Sequence, residues 1–210
     1  MIAADLGQTN DFTAFAIIER AEYLGAWNPV AFTHEIEAVC SLRFLHRMPL
    51  GTPYPRIVER IAELVASKGL QSGTRNLVVD ATGVGRPVVD LLQAAELGCK
   101  IWPVNITSGA SEGSGADGYR VPKRDLIMGL LLMIQNRELK IAQGMAEGQA
   151  LLKEMANMRV SVTSGGREKF GARSGEHDDL VLAVALAVWG MKKVTARGTV
   201  GMRAEPLGVY

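Results

Sequence analysis

The chain opens on a short apolar stretch that ends in a carboxylate and then turns tightly into a second apolar stretch. Residues 1–7 read MIAADLG, residues 8–11 read QTND and residues 12–20 read FTAFAIIER. Two strands joined so closely must run antiparallel, because a parallel pair needs a much longer crossover connection. The sequence therefore predicts a β-hairpin whose first strand ends in Asp5.

Beyond this hairpin, the apolar periodicity alternates between the patterns of strands and helices. Further strands are predicted within residues 30–47, in a buried stretch that ends at Asp80, and in residues 99–106. Helical patterns occupy residues 54–69, 85–98, 121–139 and 145–158, and a hairpin at 159–172 precedes a closing helix that follows GEHDD. This order predicts an α/β fold, a mixed β-sheet with helices on both faces. We expect one domain over residues 1–194 and a flexible tail over residues 195–210.

Composition excludes several classes of protein. With 48% hydrophobic and 21% charged residues in 210, the chain is unlike a disordered protein. Its longest apolar run, residues 180–191, is too short to span a membrane and is expected to form a buried helix. Cys40 and Cys99 lack the spacing of zinc ligands or of a disulfide framework. We therefore expect a reduced, cytosolic protein, with its three tryptophans in the core.

Acidic residues stand at the ends of predicted elements. Asp5 and Asp80 each close an apolar strand just before a Gly-containing turn, and Asp178 and Asp179 open the closing helix. If the two strands are adjacent and parallel, and the helix packs across the sheet, these carboxylates converge. Like charges so close together repel one another, and divalent cations with oxygen ligands resolve the repulsion. Two Mg²⁺ or Mn²⁺ ions about 4 Å apart can then hydrolyse a phosphodiester.

Each of these residues also has a structural interpretation. Asp5 can simply start a turn, and Asp80 can be an ordinary residue at a strand end. Asp178 can be a helix N-cap, and Asp11 can terminate the first turn instead of binding metal. His177 precedes the acidic pair, and a lone histidine is more often a surface or capping residue than a ligand.

Three segments in this order resemble the nuclease domain of the large terminase subunit of tailed bacteriophages: ADLGQTNDFTA, VVDATGVGRPVVDLL and EHDDLVLAVALAVW. The segment VPKRDLIMGLLLMIQNREL is also similar to a helix of that family, so the likeness spans roughly residues 3–190. The resemblance implies an RNase H-like fold. It also implies metal-dependent cleavage of double-stranded DNA, with little sequence preference, during packaging of a viral genome.

The resemblance further implies a set of site residues. The carboxylates that it assigns to a site with two Mg²⁺ or Mn²⁺ ions are the catalytic triad Asp5, Asp80 and Asp179, with Asp178 and Asp11 as accessory ligands. His177 becomes an accessory group that contacts metal-bound water or phosphate. Related resolvases often carry another acid three residues after the last triad position, where this chain has Leu182.

Partners follow from the same resemblance. The full-length subunit joins this domain to an ATPase domain and acts with a portal and a small terminase subunit in the host bacterial cytoplasm. No G-x-x-x-x-G-K-[ST] phosphate-binding loop occurs in the sequence. We therefore expect this chain to correspond to the nuclease half alone.

Basic residues are candidate contacts with DNA phosphates. Residues 1–119 hold nine Lys/Arg and thirteen Asp/Glu, a net −4, whereas residues 120–210 hold fourteen against nine, a net +5. Residues 107–118, rich in Gly and Ser, are expected to form a mobile loop. The candidates are Arg120, Lys123 and Arg124 beside that loop, and Arg167, Lys169 and Arg173 on the predicted hairpin. A solvated surface is the alternative for each.

Other functions remain open. DLGQTN and DATGVG are similar to the two phosphate loops of the actin-like sugar kinases, which share this strand order. Against a kinase, 210 residues are few for two such domains, and Gln8 replaces an expected glycine. A DNA-binding or scaffold domain without catalysis is the non-enzymatic alternative, although the retained acids argue against it. Within the nucleases, a Holliday-junction resolvase or a transposase core is the alternative.

Overall fold

The computed structural model describes residues 1–7, 11–70, 73–83, 85–162, 168–171 and 176–196. Its strands are β1 (Ile2–Asp5), β2 (Ala14–Asn28), β3 (Thr33–Arg47), β4 (Asn76–Asp80), β5 (Lys100–Thr107), β6 (Gly113–Gly115), β7 (Gly118–Pro122), β8 (Leu139–Ile141), β9 (Arg159–Val162) and β10 (Glu168–Gly171). Its helices are α1 (Tyr54–Ala66), α2 (Gly85–Ala94), α3 (Lys123–Gln135), α4 (Gly148–Asn157) and α5 (Asp179–Ala196).

Eight of the strands form one mixed sheet in the order β6-β7-β5-β4-β1-β2-β3-β8, and β9 pairs with β10 in a separate hairpin. The predicted first hairpin is present, since β1 and β2 are antiparallel with Asp5 opposite Ala14. β1 also pairs with β4, in parallel. The strands that end in Asp5 and Asp80 are therefore adjacent and parallel, which is the condition under which their carboxylates converge.

The sheet is covered on both faces, as the sequence predicted for an α/β fold. On one face α5 packs against β1 and β2, with α3 and α4 beside it. Every residue of α5 from Leu180 to Gly190 is buried, as expected from the apolar run. A Cβ on Gly190 would lie 2.4 Å from Val78 Cγ2, so the close approach of α5 to β4 requires glycine at this position. The other face is covered by α1 and α2.

The second and third strands form a longer hairpin than the sequence indicated. β2 was expected to end near residue 20, but it continues to Asn28 and pairs with β3 along most of its length. The far half of this hairpin lies outside the core. Trp27, expected in the core, is 51% exposed there, and Phe32 is 80% exposed. Beyond the core the two strands continue to pair with each other. The alternation of apolar and polar residues in the sequence does not reveal where the core ends.

The Gly/Ser-rich segment is not a continuous loop. Residues 113–115 form β6, which returns through a two-residue turn into β7. β7 pairs in parallel with β5, and the ring of Tyr119 stacks on Trp102 with their centroids 5.7 Å apart. The prediction of a loop over residues 107–118 was therefore wrong for this part, because long-range pairing with β5 overrides the local composition.

The helix predicted over residues 121–139 ends earlier, at Gln135. Arg137 has a φ of +60°, which breaks the helical backbone. Leu139 instead begins β8, where it is buried and pairs with Cys40 of β3.

The predicted tail was residues 195–210, but Thr195 and Ala196 still belong to α5. Residues 197–210 lie outside the described residues, so the domain limits stay a prediction. Among the helices that the structure describes, none has the length and apolarity needed to cross a membrane.

Candidate metal centre

Two of the predicted acids lie side by side at the carboxyl edge of the sheet. The last registered pair between β1 and β4 is Ala4 with Val79, so Asp5 and Asp80 follow next to each other. Both are buried, with 6% and 7% of their surface exposed. In addition to this burial, a side-chain hydrogen bond between the two carboxyl groups raises the pKa of Asp5 and lowers that of Asp80.

This crowding disfavours the charged forms of the acids. Burial raises the pKa of Asp5 well above its usual range, and the negative charges of Asp80, Asp179 and Asp178 raise it further. Burial raises the pKa of Asp80 as well, although hydrogen bonds from Thr82 oppose the shift. One of these bonds runs from the backbone N–H of Thr82 to Asp80 Oδ1 at 2.8 Å. The edge of the sheet thus holds carboxylates whose charge is poorly compensated.

Helix α5 brings the second pair of acids to the same place. Asp179 is its first residue and is 5% exposed, and Asp178 directly precedes it. Asp178 Oδ2 accepts a hydrogen bond from Lys123 Nζ at 2.7 Å. Burial raises the pKa of Asp179 to about 6, against the positive charges of Arg47 and His177, which lower it. Each acid at this helix start lies beside a cationic side chain, and the charge of Lys123 also lowers the pKa of Asp80 on the sheet.

Asp11 also lies at this helix start. A Cβ on Gly7 would lie 2.1 Å from the carbonyl oxygen of Asp11, so only glycine allows the chain to fold back so closely. One ligand atom each from Asp11, His177 and Asp179 lies within 4.8 Å of the others. The imidazole of His177 packs edge-on against the ring of Phe12, at 4.8 Å between centroids. Of the three acids of the expected triad, Asp179 is thus the one that lies within this group of potential ligands.

Two charged residues at this site were missed by sequence reasoning. The side chain of Glu154, in α4, is buried and its Oε2 accepts hydrogen bonds from the backbone N–H groups of Leu180 at 3.0 Å and Val181 at 3.2 Å. Glu154 therefore caps the N-terminus of α5 from another helix. Its other oxygen pairs with the guanidinium of Arg47, at the end of β3. Arg47 Nε lies 3.9 Å from Asp179 Oδ2.

Only one of these two residues left a signal in the sequence. Glu154 follows Leu151 by three positions, on the face of α4 that packs inward, and an acid at an apolar helical position indicates a buried partner. Arg47 stands in an unremarkable LHRMPL segment, and nothing local distinguishes it from a surface arginine.

Of the basic residues predicted to contact DNA, Lys123 lies at the carboxylates. It is the first residue of α3 and pairs with Asp178, as described above. Arg120 in β7 and Arg124 in α3 are exposed, and Arg124 Nε donates to Asp125 Oδ1 at 3.3 Å. These two cations are accessible from solvent next to Lys123.

The hairpin of β9 and β10 ends beside the same carboxylates. A Cβ on Gly171, the last residue of β10, would lie 3.8 Å from Asp178 Oδ2. Lys169 lies in β10, whereas Arg167 and Arg173 lie outside the described residues. The hairpin that the sequence predicted therefore borders the site through its second strand.

The donor set fits a divalent cation of the Mg²⁺ or Mn²⁺ type. Carboxylate oxygens dominate it, with one imidazole, and within the described ranges no cysteine belongs to the group. Asp179 Oδ2 is buried, and among the described residues it has no hydrogen-bond partner. A buried anionic oxygen without a donor is costly unless a cation completes its surroundings. The chain thus presents oxygen ligands whose charge a metal ion would neutralise.

The fold is that of the nuclease domains of large terminases. The large terminase nuclease from thermophilic phage G20c superposes with a TM-score of 0.62 at 22% identity, over 89% of this chain and 78% of that one. The nuclease domain of the large terminase subunit gp2 of bacterial virus Sf6, a mutant form, gives 0.57 at 14% identity, over 89% and 86%. The human cytomegalovirus terminase nuclease domain gives 0.54 at 12% identity, over 93% and 84%. No protein-family model and no curated protein matches the chain.

Several of these relatives have been crystallised with divalent metals. The phage G20c nuclease has been solved with bound magnesium, cobalt and zinc. The Sf6 domain was solved with manganese and beta-thujaplicinol, and the cytomegalovirus domain was soaked with manganese.

Proposed function

We propose that this chain is a metal-dependent endonuclease domain of a phage terminase large subunit, which cleaves concatemeric double-stranded viral DNA during packaging. The observation that carries the proposal is the convergence of buried Asp5, Asp80 and Asp179 from two strands and a helix. The likeness in fold to terminase nucleases supports it.

The group of Asp11, His177 and Asp179 supports a second ion beside the one that the expected triad would bind. Asp5, Asp80 and Asp179 would hold one Mg²⁺ or Mn²⁺ ion, and Asp179 with Asp11 and His177 would hold the second. Asp178 is an accessory acid that keeps Lys123 at the edge of the site. Bound in this way, the ions would supply an activated water and stabilise the leaving oxygen of the phosphodiester. The acids are held on rigid elements, so little rearrangement is needed for them to bind metal.

The basic residues would hold the duplex through its phosphates, which gives little sequence preference. Lys123 lies closest to the acids, with Arg120 and Arg124 exposed beside it. The sequence extends this path to three cations of the β9–β10 region, Arg167, Lys169 and Arg173.

In the full-length protein, we propose that this domain, over residues 1–194, is joined to an ATPase domain. It would act with the portal and the small terminase subunit in the cytoplasm of the host bacterium. The ATPase domain would hold the duplex against the nuclease, so that the isolated domain binds DNA weakly.

Cleavage of supercoiled plasmid tests the proposal. The protein is incubated with Mg²⁺, Mn²⁺ or EDTA, beside Asp80→Asn, Asp179→Asn and, as a matched control, Asp90→Asn at an exposed position of α2. We expect nicked and linear DNA only with metal. Both site variants should lose at least about 100-fold in rate, because even outer-shell changes cost 10–100-fold at metal sites. The control should cleave like the wild type.

Other outcomes identify the alternatives. Faster cleavage of a four-way junction than of linear duplex would favour a resolvase. An intact plasmid in every metal, together with hydrolysis of ATP in the presence of a sugar, would favour the actin-like kinase. DNA binding without cleavage, equal in all the variants, would indicate a scaffold domain.

A further inference from the structure

We propose that Glu154 binds Arg47 and thereby prevents this cation from pairing with Asp179, so that the Asp179 carboxylate stays available to a metal ion. We call this the keeper role of Glu154. This inference rests on the proposed function and assigns positioning roles to two residues that the proposed chemistry leaves unused. Neither residue is one of the expected metal ligands.

Arg47 pairs closely with one of two neighbouring carboxylates. Its guanidinium lies near two buried carboxylates, Glu154 and Asp179, and it contacts Glu154 closely. Its Nε is 3.9 Å from Asp179 Oδ2, which is beyond hydrogen-bonding distance. Arg47 therefore forms its close ion pair with Glu154, and Asp179 Oδ2 has no hydrogen-bond donor among the described residues.

The ion pair between Arg47 and Glu154 is held in place from both sides. Glu154 is anchored by the two backbone N–H groups of α5, a favourable place for a negative charge because it faces the positive end of the helix dipole. Arg47 is held by the ring of Phe12, with its guanidinium carbon 4.9 Å from the ring centroid. These contacts hold the guanidinium close to Asp179 but beyond hydrogen-bonding distance, with Arg47 Nε 3.9 Å from Asp179 Oδ2.

Arg47 and a metal ion would compete for the Asp179 carboxylate. An arginine paired with Asp179 would occupy the oxygen that a metal ion needs, and it would bring a positive charge that repels the ion. Burial strengthens both effects, since only 7% of the Asp179 side chain and 20% of the Arg47 side chain are exposed. Without Glu154, Asp179 is the nearest carboxylate that remains for Arg47.

The test is the substitution Glu154→Gln. The glutamine carbonyl can still accept the N–H groups of Leu180 and Val181, while its amide no longer attracts Arg47. We expect the affinity for Mn²⁺, measured by electron paramagnetic resonance of the free ion, to fall by roughly 10–100-fold. Plasmid cleavage should need correspondingly more Mn²⁺ and should return to the wild-type rate at saturation.

The double variant Arg47→Met/Glu154→Gln separates competition from a merely structural role. It removes both the competing cation and the carboxylate that holds it, so Mn²⁺ affinity should return to the wild-type value or exceed it. If Glu154 only supports the start of α5, or itself binds metal, the double variant should bind as weakly as Glu154→Gln. Where Glu154→Gln proves unfolded by circular dichroism, the double variant alone decides, because weak binding there contradicts the keeper role.

Failure of the proposed nuclease function and failure of the keeper role give different results. Wild-type protein that binds no Mn²⁺ would remove the proposed function. Wild-type protein that binds Mn²⁺ as tightly as Glu154→Gln would leave the nuclease in place and overturn the keeper role alone.

Discussion

The acids on the sheet and the acids at the start of α5 differ in the cations that accompany them. Asp178 pairs with Lys123, and Asp179 lies near Arg47 and His177. In the described part of the chain, no lysine, arginine or histidine forms an ion pair with Asp5 or Asp80, although the charge of Lys123 lowers the pKa of Asp80. The two halves of the site therefore differ in how far the protein itself offsets their negative charge. Among the described residues, no ion pair offsets it on the sheet, whereas at the helix start nearby cations offset part of it and leave Asp179 Oδ2 without a hydrogen-bond donor.

Metal binding should produce the largest effect. At a Mn²⁺ concentration about 100 times its Kd, the free energy of unfolding should rise by about 2.7 kcal/mol, or roughly 5–10 °C in Tm. Asp80→Asn should abolish most of this rise, and the exposed-site control Asp90→Asn should retain it. Thermal unfolding with Mn²⁺ and with EDTA measures both. An equal rise in Asp80→Asn would show that the sheet acids are not the metal site.

Without metal, Asp80→Asn should stabilise the protein. The amide can keep the hydrogen bond from Thr82 and donate to Asp5, while the cost of crowding two buried carboxyl groups disappears. We expect the free energy of unfolding in EDTA to rise by about 1–2 kcal/mol, as judged by chemical denaturation. A loss of stability would mean that the pair is structural and the comparison is wrong.

The pH dependence should change sign when metal is added. The pKa of Asp179 is raised to about 6 in the folded chain from an ordinary value of 3.8, so the folded state binds more protons between these values. Stability in EDTA should therefore fall as pH rises through this window, by about 1.4 kcal/mol per pH unit for one proton. With saturating Mn²⁺, which requires the ionised acids, stability should instead rise with pH. Unfolding curves at pH 4.5 to 7 check both slopes, and a common slope would contradict the account.

Asp178→Asn should have the smallest effect, and it should be opposite in sign to that of Asp80→Asn. It leaves Lys123 without its partner, in a pair whose side chains are 27% and 16% exposed. We expect a loss of about 0.5–1 kcal/mol in EDTA, because partly solvated ion pairs contribute little. Denaturation in parallel with Asp80→Asn measures the difference. Stabilisation by both substitutions would erase the distinction between the two halves of the site.

Sequence reasoning reached the acids because their signals are local. A strand that ends in Asp5 or Asp80 before a turn is visible in a few residues, whereas the pairing of these two strands was only a condition of the prediction. The antiparallel first hairpin and the buried closing helix were predicted for the same reason. What these acids do chemically stays a prediction.

The cations and the edges of the sheet could not be predicted because they depend on distant partners. Arg47 meets Glu154 across more than a hundred residues of sequence, and Glu154 caps a helix that starts 25 residues later. The short strand β6 forms in a Gly/Ser-rich segment only because β7 is held by β5. Long-range pairing of this kind overrides local propensity and leaves little trace in the composition.

The most direct test of the central claim is the anomalous scattering of manganese in crystals of this protein soaked with Mn²⁺. The account predicts a peak bounded by the carboxylates of Asp5, Asp80 and Asp179, and that peak should vanish in Asp80→Asn crystals grown under the same conditions. Mn²⁺ bound only elsewhere on the surface, with the Asp5 and Asp80 carboxyl groups still hydrogen-bonded to each other, would contradict it.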